Sequence, residues 1–183
     1  MVVRIFSLIL LVTAIFLGGC AGFGDFLDTR SEVLKAQELR VKGDFLGAIE
    51  SANRALEHAL KAHGPRDAMF GFVLHELGLA QLGAKQYEDA VMNLNAALEI
   101  KERTEGPDDT DTATVLEGLG VAYAGDNRFA EAMSAFDRSL LIWRNDLGDD
   151  SEIITKKLKA FATIFDKMEF SEGEEKYQSQ IKN

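Results

Sequence analysis

Three histidines, a single cysteine and a run of aspartates are the residues in this 183-residue chain whose types could do chemistry. His75 is followed by Glu76, but no second histidine stands four residues after the first. The two-histidine helix face that holds a catalytic zinc is therefore missing. His58 and His63 lie five residues apart around an expected helix end, a poor geometry for a shared metal, and His63 suits a helix C-terminus electrostatically. Asp108, Asp109 and Asp111 lack the twelve-residue spacing and closing glutamate of a calcium loop. Acids just ahead of a helix more often serve as caps. No glycine-rich phosphate loop follows a strand, and Ser134 and Ser139 sit in helical stretches without a nucleophile elbow. No nucleophile, base and orienting group assemble, so the residues point away from an enzyme, a metal, a cofactor or a small-molecule substrate.

The elements around these residues are expected to be helical. Two prolines and abundant Ala, Leu and Glu favour helix over strand. The chain is 46% hydrophobic and 27% charged, as an ordinary folded domain is. Its formal net charge of −10 excludes the basic footprint that nucleic acid requires and speaks against broad adhesion to anionic headgroups. One cysteine permits neither an intrachain disulfide nor a cysteine metal cluster.

That cysteine ends an address. Residues Val2 to Leu17 form an apolar run, Arg4 supplies a minimal positive flank, and the uninterrupted core from Leu8 to Leu17 has the length of a signal-peptide core. It is too short to span about 30 Å of hydrocarbon comfortably. The run closes in Leu17-Gly18-Gly19-Cys20, which resembles the lipobox of bacterial lipoproteins. The resemblance implies cleavage after residue 19 and a covalent diacylglycerol and N-acyl chain on Cys20. A secretory signal with an incidental cysteine, or an uncleaved anchor helix, are the other readings. Ala21, where an aspartate would signal retention, leans towards the outer membrane by the same resemblance. Residues 20–28, with two glycines, read as the lipidated cysteine and a brief tether.

The body repeats. Phe45, Tyr87 and Phe129 stand 42 residues apart, as do Ala48, Ala90 and Ala132, and Gly64, Gly106 and Gly148. Leu74, Leu116 and Leu158 keep the same step. Within a unit, Leu74, Leu77, Gly78 and Gln81, then Ala90, Leu94, Ala97 and Leu98, fall at spacings of three and four and mark two helices. Gly83 punctuates the turn between them. Gly78 and Gly120 lie inside helices, where glycine costs about 1 kcal/mol relative to alanine. Close helix packing offsets that cost, with Ala90 and Ala132 as the expected small partners. Tyr87 and Phe129 are expected to fill the wedge beside the turn.

This pattern resembles the tetratricopeptide repeat. Its usual small residue is matched by Ala36, Gly78, Gly120 and Ala162, its aromatic by Phe45, Tyr87 and Phe129, and its alanine by Ala48, Ala90 and Ala132. The long unit and the segment from Glu105 to Ala113 are similar to the kinesin-light-chain class. The resemblance implies an all-α, right-handed superhelical solenoid of antiparallel hairpins, about three and a half repeats over residues 29–183. The units are approximately 29–70, 71–112, 113–154 and a partial 155–183. The first is degenerate at Glu32 and Lys35. The last loses register by about one residue at Phe170, and its tail is polar apart from Tyr177 and Ile181.

Carrying over the usual groove positions on the first helices gives candidate partner-binding residues. They are Arg30, Val33, Gln37 and Arg40; Phe72, His75, Leu79 and Leu82; Thr114, Glu117, Val121 and Ala124; and Lys156, Lys159, Thr163 and Asp166. This surface is basic at both ends and apolar in the middle. The kinesin-light-chain class often clamps peptide backbone with asparagine, but here the corresponding segments read Leu74-His75-Glu76-Leu77 and Leu116-Glu117-Gly118-Leu119. Trp143 reads either as packing on the next unit or as an exposed anchor for a partner. The leading expectation is a lipid-anchored scaffold for an envelope protein or peptide, acting on pilus, secretion, outer-membrane or peptidoglycan machinery. An envelope enzyme with an unrecognised site and a self-assembling repeat protein are the alternatives.

Overall fold

The computed structural model describes residues 24–181. The leader, Cys20 and the first residues of the expected tether lie outside them. Eight helices follow one another: α1 (24–41), α2 (Phe45–Ala62), α3 (Ala68–Gly83), α4 (Tyr87–Thr104), α5 (Thr110–Gly125), α6 (Phe129–Leu147), α7 (Glu152–Lys167) and α8 (Ser171–Gln178). They pair as four antiparallel hairpins, and the described residues contain no strand. The architecture is an all-α solenoid.

The backbone keeps the repeat more strictly than the side chains do. The second helix of each hairpin starts at 45, 87, 129 and 171. Each turn before it holds one left-handed residue: Gly43, Lys85, Asn127 and Glu169, with φ of 80°, 60°, 59° and 56°. The next N–H then closes on the carbonyl five residues back, as in Asp44 to Leu39 and Gln86 to Gln81, both 2.9 Å. The fourth hairpin keeps this register, with Phe170 bonded to Phe165 at 2.9 Å; only its aromatic has moved one residue early. Between hairpins, Asp67, Asp109 and Ser151 cap the following first helices, accepting from Met69, Asp111 and Ile153 backbone N–H groups at 2.8, 2.8 and 3.3 Å.

The helical glycines face different partners from those expected. A Cβ on Gly78 would lie 2.6 Å from Leu94, and one on Gly120 would lie 2.3 Å from Phe136. Ala90 and Ala132 are fully buried but are not the atoms these glycines make room for. Sizes trade across the seam: Ala36 shares a core cluster with Ala52, whereas Leu94 and Phe136, one and two steps further on, require glycine opposite. Gly83 is the last residue of α3, and the turn's left-handed position belongs to Lys85. What Gly83 admits is the Phe45 ring of the preceding hairpin, 2.2 Å from where its Cβ would be; Gly125 does the same for Tyr87 at 2.4 Å.

Both ends depart from the sequence expectation. Residues 24–28 belong to the first turns of α1 and not to a tether. Phe26 meets the His63 ring edge-on at 5.8 Å, and Asp25 bonds His58 Nδ1 at 3.1 Å. At the other end α8 buries Tyr177 completely, in a cluster with Phe136, Phe161 and Phe165. Phe136 stacks on Phe161 at 4.0 Å, and Phe129 stacks on the displaced Phe170 at 4.4 Å. The Tyr177 hydroxyl donates to Asp137 Oδ1 at 3.1 Å, and burial followed by the Asp137 charge raises its pKa.

Candidate functional site

Four of the residues expected to line a groove come together at one place. Arg30, Val33 and Gln37 on α1 and Phe72 on α3 border a hollow of about 250 Å³, completed by Phe26, Leu34 and Met69. The heptad-like spacing of Arg30 and Gln37 sets both on one side of α1, facing the start of α3. Val33 is 5% exposed and forms the floor with Val73 behind it. The hollow is apolar, with one guanidinium and one carboxamide at its rim. Such a site accepts an apolar side chain and orients it through an acidic or carbonyl neighbour.

The next two candidates are committed to other work. Arg40 reaches Glu76, Nη2 to Oε2 at 3.6 Å, so part of the basic character of this end is neutralised. His75 is 8% exposed, and its Nε2 has no hydrogen-bond partner. Burial, reinforced by the Lys101 and Arg40 cations, lowers its pKa from 6.5 to about 4. Lys101, also buried, donates to Glu105 at 2.6 Å and Asp111 at 2.9 Å. Burial works against its charge, but these two bonds outweigh it and raise its pKa. The same ammonium lowers that of Asp111.

Glu105, Asp109 and Asp111 place carboxylate oxygens within 4.8 Å of one another. Each of the three already has a partner within the protein. Lys101 bridges Glu105 and Asp111, and Asp109 is spent as the cap of α5. Its chemistry is that of a structural ion-pair network joining α4 to the loop and α5.

Glu117 is likewise a joint and not an open groove residue. Its Oε1 accepts from Ser139 Oγ at 3.0 Å, Trp143 Nε1 at 2.6 Å and Lys157 Nζ at 2.5 Å. Lys157 also sits 4.3 Å above the Trp143 ring. Three helices thus meet on one carboxylate, and Trp143 packs towards the next hairpin. Ala124 is fully buried and lines no surface. Val121 packs against the C-terminal aromatic cluster, and Leu82 against the core of the middle hairpins. Leu79 half-covers the face of Gly118. Thr114, Lys156, Lys159, Thr163 and Asp166 are exposed; Thr114 and Thr163 bond the carbonyls four residues back, and Lys156 pairs with Glu152 at 2.9 Å. Met69, Phe26 and Leu34 were not singled out from sequence. Their apolar character was visible, but their convergence depends on how α1 packs on α3.

A four-hairpin solenoid with a side-chain-sized hollow between neighbouring first helices defines a helical-repeat binding scaffold. Residues 70–145 match the tetratricopeptide repeat family model, so the middle of the chain consists of tetratricopeptide repeats. Among solved structures, the chain is similar to BtubC (BKLC) from P. vanneervenii, with a TM-score of 0.69 and 18% identity over 84% of this chain and 61% of that one. It is also similar to a candidate kinesin light chain from Podosopora anserina with nearly identical TPR-like repeats, with a TM-score of 0.71 and 17% identity over 83% of this chain and 72% of that one. The chain thus spans less than two thirds of the length of the first. At these identities the likeness is one of fold. A comparison with curated proteins finds no match. Repeats of this type generally mediate protein–protein interaction.

Proposed function

We propose that the protein is a lipid-anchored scaffold of a bacterial cell envelope, acylated on Cys20 once residues 1–19 are removed. It binds one apolar side chain of a partner protein in the hollow between α1 and α3. The hollow carries the binding half of this reading: Arg30, Gln37 and Phe72 converge on it, while His75 and Glu117 are taken up internally. The anchoring half rests on the sole cysteine falling at the end of an apolar leader. Several acyl chains, at about 0.8 kcal/mol per buried methylene, hold a protein on a membrane where one does not. The outer membrane and an assembly role in envelope machinery are part of the proposal.

Two measurements in cells test it. Labelled palmitate should enter the wild-type chain and be lost in Cys20→Ser. A photo-reactive residue at position 72 should crosslink one defined partner, and one at the exposed control position 92 should not. Absence of acylation refutes the anchor. Identical crosslinking patterns from 72 and 92 refute the hollow as the docking point.

A further inference from the structure

The lip of the hollow continues along α1 as an uncovered apolar stripe. Leu34 lines the hollow, and Leu27 and Val41 stand seven residues to either side of it. Leu27, Leu34 and Val41 are 49%, 58% and 83% exposed, whereas Thr29, Val33 and Ala36 on another side of the same helix are buried. A step of seven residues is nearly two turns, so the stripe drifts by only about 20° per step over its length of about 21 Å. Apolar residues at that spacing form the seam that a second helix, laid alongside, covers.

The stripe is symmetric about Leu34. Arg30 and Glu38 stand four residues to either side of it, about 40° off the seam on opposite flanks. Ser31 and Gln37 stand three residues to either side. Two copies of α1 laid antiparallel with Leu34 at the centre therefore bring Leu27 of each level with Val41 of the other. They also bring Arg30 of each level with Glu38 of the other, an apolar pair and an opposite-charge pair that both occur twice. Contacts in which residue i meets j while j meets i define a two-fold interface. A parallel pair would set Arg30 on Arg30 and Glu38 on Glu38, which repel.

The remaining charges permit this meeting. Asp25, Glu32 and Arg40 turn inward, to His58, Arg54 and Glu76. Glu38 accepts from Lys42 at 2.5 Å through one of its two oxygens, in an exposed pair of the kind that contributes little in water. It can therefore take a second cation. Arg30 is exposed at the rim of the hollow. Outside the ion pairs, Arg30 and Lys35 balance Asp28 and Asp44, so two such faces approach without net repulsion although the chain carries −10.

We infer that the partner at the hollow is a second copy of this chain, paired antiparallel through α1 about Leu34. Leu34 of each copy lies at the mouth of the other's hollow, and Arg30 of each reaches Glu38 of the other. This rests on the reading of the hollow as a docking point and names its occupant. An unrelated protein is the competing occupant, and the test separates the two.

The full chain is produced in cells as two differently tagged copies, with a photo-reactive residue at position 34, 27 or 72 or at the exposed control position 92. Irradiation at 34 should give a product of twice the chain mass carrying both tags, and irradiation at 92 should not. The product from 27 should map within one helical turn of Val41 of the second copy. Arg30→Glu should lower the yield from 34 several-fold, and Arg30→Glu combined with Glu38→Arg in the same chain should restore it, which a merely structural role for Arg30 would not allow. Capture of a different protein from both 34 and 72 overturns the second copy and leaves the hollow as a docking point. No capture from either position overturns both. A product from 27 that maps to Leu27 of the second copy, or a double variant that stays as weak as Arg30→Glu, overturns the antiparallel pairing.

Discussion

Lowering the pH from about 7 to about 4.5 should cost the fold about 2.5 kcal/mol through His75 alone. In the unfolded chain this imidazole titrates near 6.5; in the fold its burial, with Lys101 and Arg40 nearby, brings it to about 4. Between those values the unfolded state binds the proton and the native state does not. Stability is therefore full above about pH 6.5, declines as the pH falls, and levels off below about pH 4. The whole gap is worth about 3 kcal/mol at roughly 1.4 kcal/mol per unit. Carboxylates held low by partners, Glu32 by Arg54 and Asp111 by Lys101, start to weaken the fold only below their ordinary values of 4.5 and 3.8. The upper window thus isolates the histidine. Urea denaturation followed by circular dichroism, on wild type and His75→Leu, reads the effect. The wild-type midpoint should fall across the window by more than that of His75→Leu, and the difference should reach the stated magnitude. Parallel pH profiles would show that His75 is hydrated in solution and refute its burial.

The other expectations concern packing and joints. Gly120→Ala should destabilise by about 1–2 kcal/mol in thermal unfolding, because overpacking against Phe136, itself stacked on Phe161, outweighs the helix-propensity gain. Gly118→Ala should be nearly neutral, since its Cβ would stand 3.3 Å from a Leu94 methyl that can give. Glu117→Gln should cost about 1–3 kcal/mol and shift the emission of Trp143, the only tryptophan, since the indole N–H and the Lys157 ammonium lose a charged acceptor. Asp109→Ala should lose about 1 kcal/mol with the α5 cap, whereas added calcium should leave the wild-type melting temperature unchanged because Lys101 already bridges Glu105 and Asp111.

The repeat was legible because each landmark has a local cause. Helix starts and caps at 67, 109 and 151 are set by residues within a few positions, and they recur in the sequence as they do in space. Contacts across helices were less so. Periodicity says that Gly78 faces inward; it does not say that Leu94 is opposite, nor that Gly83 is small for the sake of Phe45 in another hairpin. The left-handed turn positions were obscured because Lys85, Asn127 and Glu169 hold them instead of glycine. Burial of His75 and the joint at Glu117 depend on Lys101 and Lys157, residues outside the groove pattern. The short helix around Tyr177 was hidden by its polar neighbours: a single aromatic in an acidic stretch gives no period, yet it seals the aromatic cluster.

Each hairpin packs mainly on the hairpins next to it in the chain. Contacts so local in sequence close small loops, which is the condition for rapid folding. A chain delivered N-terminus first can shut α1 on α2 before α3 has emerged, and each later hairpin finds a surface already formed to dock on. Emergence from the ribosome would then proceed as a sequence of short steps, with little apolar surface waiting at any one moment for a partner that has not yet arrived.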